Sequence, residues 1–495
     1  MKILGTAGAV GVGAAVGGCA SHPAGGKGWM PNQYNGPANW SVQVKGRIPL
    51  DNQNPAIQRD DKKCILCGQC LEVCKHVMSV YGYYELPLKN EIVCVHCGQC
   101  TSWCPTGAIT EKKDITKVMA ALENADRHVV IQTAPATKVS LGEEFGLPPG
   151  SIVEGKQVAA LKALGFKGVF DTSFAADLTI MEEASEFLER REKSTEPLPQ
   201  FTSCCPGWVK FLEYYYPDLL PHLSTCKSPQ QMLGAVAKTY YAKQKQIAPE
   251  TVFSVAVMPC TAKKFECQRP QLQEGEGYPA GLADVDAVLT TRELAELLKK
   301  KGIDLARMPE QPYDSLMGES TGAGVIFGTT GGVTEAAVRT AYYLACGQAP
   351  PAELLNWSAV RGLAGVKEAA IAMPGVGTIK VAVCHGLKNA RTLLQAVREK
   401  KASWHFIEFM ACPGGCIGGG GQPRTSLPPT DELRKARLGS MYTLDGALLK
   451  KRCSYQNQEV RQIYDNWLEH PLSEQAKTLL HTRFTDRSSQ LTIKA

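Results

Sequence analysis

The chain has 495 residues, of which 44% are hydrophobic and 21% are charged, and its net charge is +6. This composition is that of a folded globular protein, and its length predicts roughly three domains. The mild positive charge, without a dense stripe of Lys and Arg, argues against a dedicated nucleic-acid-binding protein. The 19 cysteines are clustered at short spacings, which favours metal clusters over a disulfide scaffold.

Residues 1–21 resemble a secretory leader. A Gly/Ala-rich run at 3–18 ends in VGGC, which is similar to a lipobox at Cys19, and MKILGTAG is similar to a twin-arginine signal without its Arg pair. A disordered Gly/Ala-rich tail is the alternative. A leader would place the mature protein in the periplasm or on the outer face of the membrane, and otherwise it would be cytoplasmic. Residues 22–60 are predicted to form an extended linker, and no later segment is apolar enough to span a membrane.

Residues 61–115 contain two cysteine runs with the spacing C-x2-C-x2-C-x3-C. This spacing is typical of ferredoxins with two 4Fe-4S clusters, in which the fourth cysteine of each run binds the other cluster. The predicted ligand sets are Cys64, Cys67, Cys70 and Cys104 for one cluster, and Cys94, Cys97, Cys100 and Cys74 for the second. Two zinc sites are the alternative, although zinc does not require the triplet spacing twice. Such clusters only carry electrons, so this α+β ferredoxin-like domain requires a reaction site elsewhere in the chain.

Residues 120–425 alternate between β-branched apolar runs and helical patterns, which predicts an α/β domain with mostly parallel sheets. The predicted strands are 129–133, 252–258, 285–290, 379–384 and 404–410, and the predicted helices are 179–191, 209–216, 229–246, 292–301, 334–345 and 390–400. Three of the strands lead into TAPA at 133–136, MPCTAKKFE at 258–266 and MACPGGC at 410–416. Ligands bind at the carboxyl ends of strands in open α/β sheets, so these sequences are predicted to converge on one site.

A further set of cysteines lies at or near these strand ends, each beside Pro or Gly. Its members are Cys205, Cys260, Cys412 and Cys416, enough thiolates for another 4Fe-4S cluster. Four glycines at 418–421 follow, and we expect their bare backbone to let the chain approach a bulky group closely. The remaining cysteines are interpreted as small buried side chains: Cys226, Cys267, Cys346, Cys384 and Cys453.

The stretches TSCCPGW at 202–208, MPCTAKKFE at 258–266 and FMACPGGCIGGGGQP at 409–423 resemble the three signature motifs of the FeFe-hydrogenases. The resemblance extends over residues 55–485 and includes TIMEEASEF at 179–187 and FGTTGGVTEAAVR at 327–339. It implies a two-lobed catalytic domain over residues 120–425. It also implies a helical belt over residues 430–490, similar to the small subunit of the family.

The resemblance implies an H-cluster, in which a 4Fe-4S cluster is joined through a cysteine sulfur to two irons with CO, CN and azadithiolate ligands. By motif position, its ligands are Cys205, Cys260, Cys412 and the bridging Cys416. Cys204 is implied to pass protons to the bridging amine, and Lys263 to donate a hydrogen bond to a cyanide. Ala136 stands where several relatives carry a hydroxyl group, so one hydrogen bond to a cyanide is expected to be missing or replaced.

A proton relay is also implied by position. Its members are Cys204, Glu183, Ser224 and Glu186, with Arg190 near its outer end. Glu183 and Glu186 share a helix face because they are three residues apart. Without the resemblance, these carboxylates and that of Glu182 would be interpreted as an acidic surface stripe. The residues expected to line the pocket are Pro135, Met258, Met410 and Gln230, with ordinary packing as the alternative.

The leading hypothesis is a hydrogenase that interconverts H2 with protons and electrons, and passes the electrons through the two ferredoxin-like clusters. A ferredoxin or a c-type cytochrome is the expected electron partner, and hydrogenase maturation proteins are the expected assembly partners. One alternative is a non-catalytic iron–sulfur assembly protein related to hydrogenases, and the other is a sensor of H2 or redox state. The presence of Cys204, Lys263 and Cys416 favours the enzyme.

Overall fold

The computed structural model describes residues 46–84, 92–194, 196–272 and 281–491. The predicted leader at 1–21 and the larger part of the predicted linker lie outside these residues. Within them, no helix has both the length and the apolar character needed to cross a membrane.

The strands form a small antiparallel pair and two larger sheets. They are β1 (Ile57–Arg59), β2 (Ile109–Glu111), β3 (His128–Thr133), β4 (Gly168–Asp171), β5 (Gln200–Phe201), β6 (Val252–Met258), β7 (Ala287–Thr290), β8 (Val366–Met373), β9 (Gly377–His385) and β10 (Phe406–Met410). The first sheet has the order β4-β3-β6-β7 and is parallel throughout. The second has the order β5-β10-β9-β8, in which only β8 is antiparallel to its neighbour. The prediction of an α/β fold with mostly parallel sheets is confirmed.

Helices connect and cover these strands. In the cysteine-rich unit and the first half of the chain they are α1 (Gln69–Glu72), α2 (Gln99–Trp103), α3 (Ile115–Glu123), α4 (Glu154–Ala163), α5 (Thr172–Lys193), α6 (Pro206–Tyr215), α7 (Pro229–Val236), α8 (Ala242–Lys245) and α9 (Ala262–Glu266). The later helices are α10 (Thr291–Lys300), α11 (Gly322–Ile326), α12 (Gly332–Cys346), α13 (Ala352–Leu355), α14 (Leu387–Arg398), α15 (Asp431–Thr443), α16 (Gln458–Ile463) and α17 (Glu474–Leu480). A π-helical turn joins α7 to α8.

Helix α5 lies between the two lobes of the molecule. The first lobe is built on the β4-β3-β6-β7 sheet, and the second on the β5-β10-β9-β8 sheet. Its Phe174 and Leu178 pack against α7, whereas its Ile180 packs into the core around β9 and β10. The helix begins seven residues before the predicted start at 179, and the Asp171 carboxylate accepts a hydrogen bond from its first turn. This early part is buried on all faces and therefore lacks the amphipathic pattern by which helices are recognised in a sequence.

The C-terminal segment is tied to both lobes by apolar packing and by ion pairs. Apolar side chains of α16 and α17, such as Ile463 and Leu480, join the core formed with α5 and α7. On α15, the Arg437 guanidinium forms two hydrogen bonds of 2.7 Å with the buried Glu143 carboxylate. These contacts hold the segment against the domain that precedes it.

Candidate active site and cysteine clusters

The carboxyl ends of β3, β6 and β10 meet at one cavity with about 730 Å³ of empty space. Ala134 to Ala136 follow β3, Met258 ends β6, and Met410 ends β10. The three sequences expected to converge are therefore brought together. Because β3 and β6 belong to one sheet and β10 to the other, the cavity lies between the two lobes, not at the edge of a single sheet.

Five cysteines line this cavity, and all of them were singled out from the sequence. They are Cys204, Cys205, Cys260, Cys412 and Cys416. Pro135, Gln230, Met258 and Met410, which were expected to line a pocket, do line it. The sequence analysis missed Thr172 and Phe327, which are also in the lining, although Phe327 opens the FGTTGGVTEAAVR stretch.

Lys263 supplies the positive charge in the cavity wall. Its Nζ donates to the Cys204 carbonyl at 3.1 Å and to Glu266 Oε2 at 2.9 Å. Burial lowers the pKa of Lys263, but the charge and hydrogen bond of Glu266 together with the charges of Cys204 and Cys260 outweigh it, so the net shift is upward. The ammonium group has three N–H bonds, and these two contacts leave one for an acceptor in the cavity.

The lining chemistry fits an iron–sulfur group. Several thiols converge from different loops, and thiolates are soft ligands that suit iron–sulfur clusters. The Oε1 atom of Gln230 is buried without a hydrogen-bond partner, as expected of a side chain that faces a bound group. Within the described ranges, no three His, Cys, Asp or Glu side chains are close enough to hold a single metal ion.

The glycines at 418–421 are required by contacts between chain segments. A Cβ atom on Gly418 would lie 2.0 Å from the Pro413 carbonyl oxygen, and one on Gly419 would lie 2.2 Å from that of Pro259. A Cβ on Gly420 would lie 2.4 Å from the Cys97 carbonyl oxygen. The added atoms on Gly418, Gly419 and Gly420 would meet backbone, so the approach of chain segments alone requires glycine there, and the expectation that these glycines make room for a bulky group stays a prediction. Gly419 does line the cavity.

The eight cysteines of the N-terminal unit line two further cavities. One is lined by Cys64, Cys67, Cys70 and Cys104, and the other by Cys74, Cys94, Cys97 and Cys100. The structure thus groups the cysteines as predicted, with the fourth cysteine of each run lying beside the first three of the other run. Leu66 and His96, at matching places in the two runs, have positive φ values of 56° and 60°. Residues of this type rarely adopt such a backbone, and here it bends each loop around its cavity.

The second of these cavities is the one adjacent to the active-site loops. Gln99 Nε2 donates to the Gly418 carbonyl at 2.8 Å, and the Thr101 hydroxyl donates to the Gly420 carbonyl at 2.8 Å. From the other side, Thr261 donates to the His96 carbonyl at 2.6 Å. The three cysteine groups therefore follow one another, and the group that contains Cys64 is the farthest from the site.

The predicted relay residues come together beside the cavity. Ser224 Oγ donates to Glu186 Oε2 at 2.6 Å, and its hydroxyl also lowers the pKa of the nearby Glu183. Burial, followed by the nearby Glu186 charge, raises the pKa of Glu183 to about 8. Burial, followed by the Glu183 charge, raises the pKa of Cys204 well above its ordinary value. A carboxyl group and a thiol that are both held neutral are able to pass a proton.

The acidic residues of α5 are not a surface stripe. Glu182 and Glu183 are at most 1% exposed, and Glu186 is 8% exposed. Arg190 pairs with Glu186 at 2.8 Å and is itself only 3% exposed. The end of the relay occupied by Arg190 is therefore closed to solvent.

Two family models match successive parts of the chain. Residues 127–420 match the family described as iron only hydrogenase large subunit, C-terminal domain, and residues 431–487 match iron hydrogenase small subunit. The chain is 47% identical over 452 residues to the NADP-reducing hydrogenase subunit HndD of Solidesulfovibrio fructosivorans, which covers 87% of this chain and 75% of that protein. It is 49% identical over 371 residues to the periplasmic Fe hydrogenase large subunit of Nitratidesulfovibrio vulgaris, which covers 74% of this chain and 86% of that protein.

Solved structures and more distant relatives extend the comparison. An apo FeFe-hydrogenase HydA1 variant from Chlamydomonas reinhardtii superposes with a TM-score of 0.65 at 41% identity, over 76% of this chain and 99% of that chain. The cytosolic iron-sulfur assembly component 3 of Bos taurus is 32% identical and covers 77% of this chain and 82% of that protein.

Proposed function

Because the chain belongs to the iron-only hydrogenase family, we propose that it catalyses the reversible conversion of H2 to protons and electrons. The observation that carries this proposal is the cavity itself, in which five thiols, one ammonium group and the inner end of a buried proton relay meet. A purely structural iron–sulfur site needs neither the uncommitted thiol of Cys204 nor the relay.

Four of the five thiols would hold an H-cluster. By their places in the three motifs these are Cys205, Cys260, Cys412 and Cys416, with Cys416 as the bridge to the two-iron part. When bound, the group would supply an open iron site for heterolytic cleavage or formation of H2. Lys263 would donate its third N–H bond to a cyanide nitrogen, which needs a partner in a pocket without water.

The remaining work of the protein is to move protons. Cys204 would exchange a proton at the cavity wall and pass it to Glu183, which Ser224 links to Glu186. The pKa of Glu183, raised to about 8, suits a group that must both accept and release a proton near neutral pH.

Electrons would pass through two 4Fe-4S clusters on the two cysteine groups of the N-terminal unit. Cys64 and Cys67 of the distant group are partly exposed, so an external carrier would be able to approach that cluster. A ferredoxin or a c-type cytochrome would be the carrier, and hydrogenase maturation proteins would build the H-cluster.

The alternative function is non-catalytic iron–sulfur assembly, since relatives at lower identity carry that name. Against it stand Cys204 and an intact third motif, both of which line the cavity.

The test is H2 evolution from reduced methyl viologen by the full chain after maturation in vitro. We expect turnover in the wild type and none in Cys416→Ala, with the iron of the N-terminal unit retained in the variant. Correctly matured wild-type protein that evolves no H2 would overturn the proposal and favour assembly.

A further inference from the structure

The relay described above lacks an exit, because Arg190 cannot serve as one. A guanidinium is not deprotonated in proteins, and this one is 3% exposed. Its Nη atoms are engaged by Glu186 and by the carbonyl oxygen of Leu223 at 2.6 Å. Arg190 fixes the Glu186 carboxylate, but it does not carry a proton from Glu186 to water.

We propose, on the basis of the proposed function, that protons pass between Glu186 and solvent through the Thr225 hydroxyl and the His481 imidazole. Thr225 is exposed, and its Oγ1 lies 3.3 Å from Glu186 Oε1, to which it donates. The same oxygen lies 2.7 Å from His481 Nδ1. These two contacts lead from the buried Glu186 carboxylate to the exposed residue Thr225 and to the His481 side chain, which is 9% exposed.

The imidazole is held in this position from both sides. His481 Nε2 lies 3.1 Å from Glu182 Oε2, and the Glu182 carboxylate also accepts hydrogen bonds from the Tyr464 hydroxyl and the Leu472 backbone N–H. The backbone around it pairs with the backbone beside Thr225, since Thr482 N donates to the Thr225 carbonyl at 2.8 Å and Cys226 and His481 form an isolated β-bridge. Residues 256 positions apart are therefore joined by the backbone as well as by side chains.

The proton balance of this step is simple. Protonated Glu186 gives its proton to the Thr225 oxygen while that hydroxyl gives its own proton to His481 Nδ1, and the imidazolium then releases one proton to water. The Thr225 hydroxyl rotates back, and Glu186, left as a carboxylate, takes its next proton from Glu183 through Ser224. No electron moves. Histidine is the side chain best suited to this task near neutral pH. The ionisable groups that face it are Glu182, Glu186 and Cys226, with Tyr464 behind Glu182.

In this arrangement the C-terminal segment takes part in proton transfer as well as in packing. His481 follows α17, at the end of the segment that matches the small subunit. The segment would therefore complete the relay with a proton-exchanging group, in addition to covering the core.

The experiment compares matched variants of the matured full chain. His481→Gln and Thr225→Val are expected to lower H2 turnover about tenfold or more and to enlarge the solvent deuterium isotope effect, because a transfer step is slowed. Thr225→Ser, which keeps the hydroxyl, is expected to recover most of the turnover that Thr225→Val loses. His470→Gln, the same change as in His481→Gln but at an exposed histidine of the same segment, is expected to behave as wild type. Added imidazole is expected to restore turnover in His481→Ala but not in Glu186→Gln.

A second measurement needs no H-cluster. In protein without the H-cluster, the NMR chemical shifts of the His481 ring nitrogens at one fixed pH are expected to change in Glu186→Gln, because the Thr225 hydroxyl that contacts Nδ1 loses its carboxylate partner. Wild-type turnover in His481→Gln, or unchanged ring shifts in Glu186→Gln, would overturn the inference. Loss of turnover in the wild type would instead refute the proposed function, and the NMR result would still decide whether the two groups are coupled.

Discussion

Among the five cavity thiols, Cys204 is the one that the proposed cluster does not need as a ligand. It lies beside Glu183 and Lys263, and burial together with the Glu183 charge raises its pKa. A thiol that stays protonated in the resting protein has a proton available to give. Burial raises the pKa of Cys205 as well, so the interaction with Glu183 is what distinguishes Cys204. Cys205 accepts a hydrogen bond from the Ala411 backbone N–H at 3.4 Å, as expected of a thiolate ligand.

We therefore expect Cys204→Ala to lower H2 turnover by about 100-fold or more, while the iron content stays that of wild type. The measurement is viologen-linked H2 evolution together with iron analysis. Cys384→Ala is the matched control, because Cys384 is also buried but does not line the cavity. Turnover in Cys204→Ala close to that of the control would contradict the proton role.

The site residues that were predictable from the sequence are those that lie within a recognisable motif. The cysteines of the cavity, Lys263 and the pocket-lining Met258 all lie in short signature stretches, and the structure brings them together. The contact between Thr225 and His481 was not predictable in this way, because it depends on how two segments 256 residues apart pair. No local pattern encodes such a pairing.

The glycine-rich segment at 418–421 shows that the composition of a segment does not by itself explain why glycine is needed there. Glycine was correctly interpreted as a sign of close approach. The sequence did not say what approaches, and the structure shows that it is the backbone of Pro413, Pro259 and Cys97. Strand β8 was missed for a related reason, because its Ala-rich sequence, half exposed at the edge of a sheet, lacks the β-branched run of a central strand.

The close contact at Gly418 gives a sharp expectation for stability. Gly418→Ala places a methyl group 2.0 Å from a backbone oxygen, so we expect the unfolding free energy to fall by ~1–3 kcal/mol or more. Gly439→Ala is the control, since its Cβ meets nothing within 4 Å in the middle of α15, and it is expected to raise stability by ~0.5–1 kcal/mol. Urea unfolding followed by circular dichroism measures both. Equal effects of the two changes would contradict the close-contact explanation.

The whole molecule is held together by ionic contacts between units that are far apart in sequence. Arg292, at the start of α10, pairs with Glu111 of β2 and donates to the Thr101 hydroxyl and the Gly420 carbonyl. Both partners of the ion pair are at most 10% exposed. Burial alone would raise the pKa of Glu111, but Arg292 outweighs it, and the net shift is downward. One side chain thus joins the cysteine-rich unit, the first lobe and the active-site loop.

Arg292→Leu leaves Glu111 buried and unpaired, so we expect it to cost ~3–5 kcal/mol near neutral pH. Because the pKa of Glu111 is lowered in the folded state, the stability from this pair is present above the unfolded-state pKa of about 4.3. It is lost as the pH falls through the lower folded-state pKa, so the difference between wild type and variant should shrink there. Chemical unfolding at neutral and acidic pH measures this difference.

The control is Lys300→Leu on the same helix, which removes an exposed pair with Glu296 and is expected to change stability by less than about 1 kcal/mol at either pH. A difference between Arg292→Leu and wild type that does not depend on pH would contradict the assignment to Glu111.

The contact surface between the cysteine-rich unit and the loop at 418–421 has a consequence for protein engineering. A Cβ atom on Gly98 would lie 2.3 Å from the Thr261 hydroxyl oxygen, and Thr101 and Gln99 bind loop carbonyls about 320 positions away. A ferredoxin grafted from another protein would have to present glycine and a hydroxyl at these two places. The cysteine-rich unit is therefore not interchangeable with that of another protein, and chimaeras without these contacts should fail to dock the unit against the loop at 418–421 even when each half folds.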